Sequence, residues 1–118
     1  MIGIDFTVIS RIQGVIDRKG ERFWNKCFSK KEQKLIHNIS TFSGFFATKE
    51  AAFKALGVKA DECAYHDIKI SKSASGQPLL KYKKHIRKRF NIKKASVSIT
   101  HDGGFAIAVV SITKRVSS

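Results

Sequence analysis

Acidic residues are scarce in this chain of 118 residues: 9 Asp and Glu stand against 23 Lys and Arg, a formal net charge of +14. That excess points to a polyanionic partner, without choosing among nucleic acid, an anionic membrane, a phosphate-rich small molecule and an acidic protein. Cysteine is nearly absent as well. The 2 thiols, Cys27 and Cys63, make neither a disulfide framework nor a zinc site, so a reducing compartment is expected and both should pack as small hydrophobes. With 1 Pro and 8 Gly the composition lies far from disordered or collagen-like chains. Long apolar runs are missing: the longest, Phe105 to Val110, falls well short of the roughly 20 residues of a membrane-spanning helix. The start, Met1-Ile2-Gly3-Ile4-Asp5, carries no basic leader. One soluble cytoplasmic domain over residues 1–118 is expected, large enough to bury roughly two thirds of its unfolded surface.

What is present is clear patterning. Ile2, Ile4, Phe6 and Val8 alternate with Gly3, Asp5 and Thr7, which predicts a strand with the apolar set buried. From Ile9 the period lengthens: Ile9, Ile12, Val15, Ile16, Phe23, Trp24 and Cys27 trace a helix weakened near Lys19-Gly20. Arg11, Arg18, Lys19, Arg22 and Lys26 form a basic ridge on its outer face. Ser29-Lys30-Lys31-Glu32 has capping-box spacing and should open a short helix through Leu35, Ile36 and Ile39. A longer helix is predicted over 41–57, with Phe42, Phe45, Phe46, Ala52, Phe53 and Leu56 as its apolar stripe and Gly57 as its stop. Alternation over 65–71 and the turn residues Ser73 to Pro78 predict a hairpin into Leu79-Leu80. Lys81 to Lys94 reads as a short basic amphipathic helix, and Asp102-Gly103-Gly104 joins two last strands. Helices and hairpin-connected strands together predict an α+β fold, a single domain of antiparallel strands packed on helices.

Among so few carboxylates, Asp5 and Glu50 stand out. Asp5 interrupts an apolar strand beside the small neighbours Gly3 and Thr7, and read alone it is an acid on the wet face of that strand. Glu50 and Lys54 share a helix face; read alone they are a surface ion pair worth roughly 0.2–0.5 kcal/mol. Ala47, Ala51, Ala52 and Ala55 keep the helix slim around them, leaving room for a close approach. Two carboxylates and a lysine, with no Cys or His cluster, make an oxygen-ligand site suited to magnesium and phosphate rather than zinc. His101, at a strand end, reads as a turn residue or a phosphate contact.

Three motifs carry a family resemblance. Gly3-Ile4-Asp5 with Ser10-Arg11-Ile12, Phe46-Ala47-Thr48-Lys49-Glu50-Ala51 leading to Lys54-Ala55-Leu56-Gly57, and Ser98-Ile99-Thr100-His101 before Ala106 to Val110 resemble, in order, the signatures of the bacterial holo-acyl-carrier-protein synthases. The resemblance spans nearly the whole chain and implies the 4'-phosphopantetheinyl transferase-like fold. It also implies transfer of the 4'-phosphopantetheine arm of coenzyme A to a serine of apo-acyl carrier protein, releasing adenosine 3',5'-bisphosphate and supporting fatty acid biosynthesis. By that resemblance Asp5 and Glu50 hold Mg2+, and Lys54 lies at the coenzyme A diphosphate with Gly57 and His101 nearby. Glu50 itself, or a water held by the metal and a carboxylate, takes the serine proton. Arg11, Arg18 and Arg22 would dock the acidic carrier protein. The resemblance further implies a homotrimer with sites between subunits, Asp5 of one chain approaching Glu50 of another.

The chain departs from the family pattern at three places. Phe45 stands where the family often has a basic residue, Val58-Lys59 follows Gly57 where Thr-Gly is usual, and the basic stretch 81–94 is heavier than the family needs. The alternative is a small basic nucleic-acid-binding protein, which accounts for the charge but leaves Asp5 and Glu50 without a role. The transferase reading expects no membrane and no nucleic acid as partner.

Overall fold

The structure, a computed structural model, describes residues 1–57 and 62–116. The departure at Val58-Lys59 lies outside the described residues. Strand β1 (Ile2–Val8) runs directly into helix α1 (Ile9–Lys19), and a break at Gly20 separates it from α2 (Glu21–Cys27). Helix α3 (Lys30–Gln33) is one turn, opened by the predicted capping box: Ser29 Oγ accepts from Glu32 N, and Glu32 Oε1 accepts from Ser29 N. Its length is a correction. Ile39 belongs instead to the next helix, α4 (Ile39–Leu56), because Asn38 Oδ1 accepts from Thr41 N and restarts the helix there. Residues Tyr65–Asp67 form a 3-10 turn, not the predicted strand, since Asp67 Oδ2 turns back to Ala64 N; strand β2 (Ile68–Lys72) begins only afterwards. Strand β3 (Pro78–Tyr82), helix α5 (Lys84–Phe90), and strands β4 (Ile92–Asp102) and β5 (Phe105–Lys114) follow in the predicted order, but α5 is shorter than the predicted 81–94: Lys81 and Tyr82 pair with β2 as part of β3, and Ile92 to Lys94 already belong to β4 after the αL stop at Asn91.

The α+β architecture is thus borne out. Antiparallel strands in the order β1-β5-β4 form the main sheet, and β2-β3 form a separate hairpin. Helix α4 lies across the inner face of the main sheet, packed on β1 and β5. An aromatic cluster closes its outer side: Trp24 and Phe28 meet Phe42 at ring separations of 4.7 and 5.1 Å. Both cysteines are buried, which pushes their thiols up to about 12, far from the reactive thiolate range.

The face of β1 that meets the core is the reverse of the sequence expectation. Gly3 and Thr7 are buried, whereas Ile2, Ile4 and Phe6 remain 72, 56 and 57% exposed. Closeness of the helix decides this. A Cβ on Gly3 would overlap the Ala51 carbonyl oxygen and fall 2.5 Å from Ala55 N, so only the small side of the strand can face α4. Ala106 and Ala108 of β5, both fully buried, line the same close seam. Gly3→Ala is therefore expected to destabilise the fold by about 3 kcal/mol, at the upper end for overpacking against backbone. A urea midpoint within error of the parent would show that the seam is not as tight as described.

Candidate active site

Asp5 faces inward two residues beyond Gly3, so the close seam carries its carboxylate to the face of α4 that bears Glu50 and Lys54. Its side chain is 12% exposed; Oδ1 lies 3.1 Å from Lys54 Nζ, and Oδ2 accepts a 2.6 Å hydrogen bond from Thr7 Oγ1. Lys54 therefore reaches across to Asp5 instead of back to Glu50. Glu50 has its own partner: Tyr65 OH donates to Oε1 at 2.6 Å. The Tyr65 phenol is raised above its ordinary value, first by burial and then by the hydrogen bond and charge of Glu50, with a smaller contribution from Asp5. One chain thus pairs Asp5 with Lys54 and Tyr65 with Glu50 along the same helix. Within one chain α4 and β1 are in direct contact, and Asp5 meets Lys54 on the helix that carries Glu50.

Beneath the site lies an ion pair that sequence reasoning missed. Lys49, 0% exposed, places Nζ 2.8 Å from Glu32 Oε1, 2.8 Å from the Cys27 carbonyl oxygen and 3.0 Å from the Tyr65 carbonyl oxygen. All three ammonium protons are used. Glu32 in turn accepts from Ser29 N through Oε1 and from Ile70 N through Oε2. Burial draws the Lys49 ammonium below its ordinary value, opposed by the bond to Glu32. A signal was available: Lys49 falls seven residues after Phe42, in the middle of the apolar stripe of α4, where a charge needs a buried partner. Nothing comparable marks Tyr65.

The other proposed residues lie at different distances from this centre. Gly57 caps α4 in the left-handed conformation (φ 68°), one turn past Lys54. His101 is elsewhere within the chain. Its ring lies against Gly44, where a Cβ would approach Nε2 to 2.7 Å, and six residues of α4, about 9 Å of rise, separate Gly44 from Glu50. It lines a separate cleft of ≈ 170 Å³ with Thr41, Phe45, Lys72 and Pro78. Arg11, Arg18 and Arg22 are exposed on α1 and α2, and none has an acidic partner among the described residues. Arg11 and Arg18 flank a groove of ≈ 560 Å³ floored by Val15, Phe23 and Phe46. Phe46, at the end of the groove, is one helical turn before Glu50, and Tyr65 packs on it at 6.1 Å.

The donors suit a hard cation. Asp5 and Glu50 offer only oxygen, and each has one oxygen held by a neutral hydroxyl while Lys54 already places a positive charge on Asp5. No group of three or more His, Cys, Asp or Glu among the described residues could hold a metal alone. Two carboxylates completed by phosphate oxygens and water is a magnesium arrangement.

The fold and the site define a class. Residues 1–110 match the 4'-phosphopantetheinyl transferase superfamily, and the chain belongs to it. The likeness is narrower still. A holo-[acyl-carrier-protein] synthase of Aliarcobacter butzleri is 51% identical over 111 residues, covering 93% of this chain and 94% of its own. One from Campylobacter lari is 50% identical, covering 98 and 100%. The crystal structure of the Helicobacter pylori holo-[acyl-carrier-protein] synthase in complex with coenzyme A superposes with a TM-score of 0.93 at 44% identity, covering 96% of this chain and all of that one.

Proposed function

We propose that this protein is the enzyme that converts apo-acyl carrier protein to its holo form. The observation that carries the reading is the convergence of Asp5 from β1 with Glu50 and Lys54 from one face of α4, in a chain half identical to holo-[acyl-carrier-protein] synthases along its whole length. The serine Oγ of the carrier attacks the coenzyme A phosphorus that bears the pantetheine arm. The bond between that phosphorus and the bridging oxygen breaks, the serine proton is lost, and adenosine 3',5'-bisphosphate departs with the bridging oxygen. Phosphoryl transfer rests on positioning and charge stabilisation, and these residues supply both. Asp5 and Glu50 would hold Mg2+, whose part is to neutralise charge on the diphosphate. Lys54, exposed at its tip, turns from Asp5 to the departing bisphosphate. The proton of the serine goes to Glu50 or to a water beside it.

The acidic carrier would dock on the α1–α2 ridge, its charge meeting Arg11, Arg18 and Arg22 and its serine arriving along the groove that ends at Phe46. Replacing Arg11 and Arg18 by Glu should raise KM for the carrier at least tenfold with little change in kcat, and should flatten the salt dependence of kcat/KM. A KM unmoved by both changes would place the carrier elsewhere. The exposed stripe of Ile2, Ile4, Phe6 and Phe105, with Phe6 and Phe105 rings 4.6 Å apart, supports a second copy on the outer sheet face. A trimer would also let His101 of a neighbouring copy reach coenzyme A bound at Glu50. A transferase of this kind would work in the cytoplasm and support fatty acid synthesis. No helix among the described residues is long and apolar enough to cross a membrane.

The test is the mass of an apo-acyl carrier protein after incubation with this protein and coenzyme A, with and without Mg2+, on the fraction that sediments as three chains. A gain of one phosphopantetheine that chelation prevents is the expected result. No gain with any of several carriers would overturn the reading, and activity confined to single chains would remove the trimer from it.

A further inference from the structure

Tyr65 is held at three points, and its hydroxyl ends on Glu50. Its carbonyl accepts from the buried Lys49 ammonium at 3.0 Å, and that ammonium is itself fixed by Glu32. Its ring lies along α4 against Phe46 at 6.1 Å and Phe53 at 5.1 Å, the residues four before and three after Glu50 on the same helix face. Its hydroxyl then meets Glu50 Oε1 at 2.6 Å. Among the described residues Glu50 makes no other hydrogen bond.

We infer that Tyr65 is a positioning residue: it pins one oxygen of Glu50 so that the other faces the cation and the coenzyme A diphosphate in a single orientation. The inference rests on the magnesium reading above. A carboxylate on an unclamped glutamate samples several rotamers, and a ligand that must be ordered before it can bind loses affinity. Partners behind a metal ligand of this kind commonly change metal affinity or activity 10–100-fold when removed. The buried ion pair gains a purpose from this arrangement: Glu32 and Lys49 fix the backbone of a residue that reaches the reacting centre through its side chain.

The experiment titrates Mn2+, a hard cation suited to oxygen ligands, into the full-length protein saturated with coenzyme A and reads free Mn2+ by its paramagnetic resonance signal. Three proteins are compared: the parent, Tyr65→Phe, which keeps the ring and loses only the hydroxyl, and Glu50→Gln as reference. Tyr65→Phe should bind Mn2+ about tenfold more weakly, with unchanged coenzyme A affinity in the absence of metal and with turnover that recovers at high Mg2+. A Tyr65→Phe isotherm matching the parent, while Glu50→Gln has lost binding, overturns the positioning role and leaves the metal reading standing. The positioning role is equally lost if Tyr65→Phe lowers thermal stability without moving the isotherm, since the hydroxyl then serves packing alone. If Glu50→Gln binds Mn2+ as the parent does, the metal reading falls and the inference with it.

Discussion

Lys49→Met is expected to cost about 3–5 kcal/mol of folding stability, the range for breaking a buried ion pair from one side. The methylenes of Met fill nearly the same volume, so the loss is electrostatic. Glu32, 3% exposed, would keep its carboxylate in the interior with two backbone amides as its remaining partners. The Cys27 and Tyr65 carbonyls would each lose a charged donor, adding to the cost. Urea denaturation followed by tryptophan fluorescence measures the change, because Trp24 lies against Phe42 in the same core. A second protein carrying Lys49→Met with Glu32→Gln should regain part of the loss, since the charge left alone is then gone. A single variant within about 1 kcal/mol of the parent, the cost of one ordinary hydrogen bond, would mean that water reaches Glu32 and that the pair is not sealed.

Glu50→Gln should act on the opposite property. The amide oxygen can still accept from Tyr65, and the side chain keeps its length, so the melting temperature should scarcely move. Catalysis should fall by about 3–4 kcal/mol, or roughly 10²–10³-fold in kcat/KM, because a neutral ligand no longer draws in the cation that neutralises the diphosphate. Steady-state transfer to apo-carrier protein at several Mg2+ concentrations checks this. Activity within threefold of the parent at low Mg2+ would remove Glu50 from the site. The two substitutions lie at adjacent positions of α4, and they separate cleanly: one residue is sealed in the interior and holds the fold, while its half-buried neighbour is the one proposed to serve the reaction.

Much of this was readable without coordinates. Asp5, Glu50, Lys54 and Gly57 were marked by their motif, and the hairpin turns and the αL stop at Gly57 by their residue types. Period alone could not say which side of β1 faces the core, because alternation defines two faces and leaves their assignment to whatever packs on them. The helix chose the face with Gly3, since contact at backbone distance outweighs the burial that Ile4 and Phe6 would have gained from a helix standing further off. The start of α4 was displaced from Thr41 to Ile39 for a simpler reason, a side-chain cap from Asn38 that competes with the apparent continuation of α3. The Lys49–Glu32 pair joins positions 17 apart in sequence, and Tyr65 meets Glu50 across 15; contacts of that kind arise only once the chain has folded.

Strand β1 has no spare side. Gly3, Asp5 and Thr7 belong to the helix seam and its chemistry, and Ile2, Ile4 and Phe6 to the outer surface. Its ladder with β5, Asp5 opposite Ala108 and Phe6 opposite Ile107, fixes which set goes where. A slip of one residue would exchange the two sets together, bringing Ile4 up against Ala51 and turning the acid outward. Length in this segment is therefore constrained more tightly than composition. Many single substitutions on its outer side leave the parity intact, whereas one inserted or deleted codon between Gly3 and Thr7 abolishes the seam, the acid and the outer apolar stripe at a stroke.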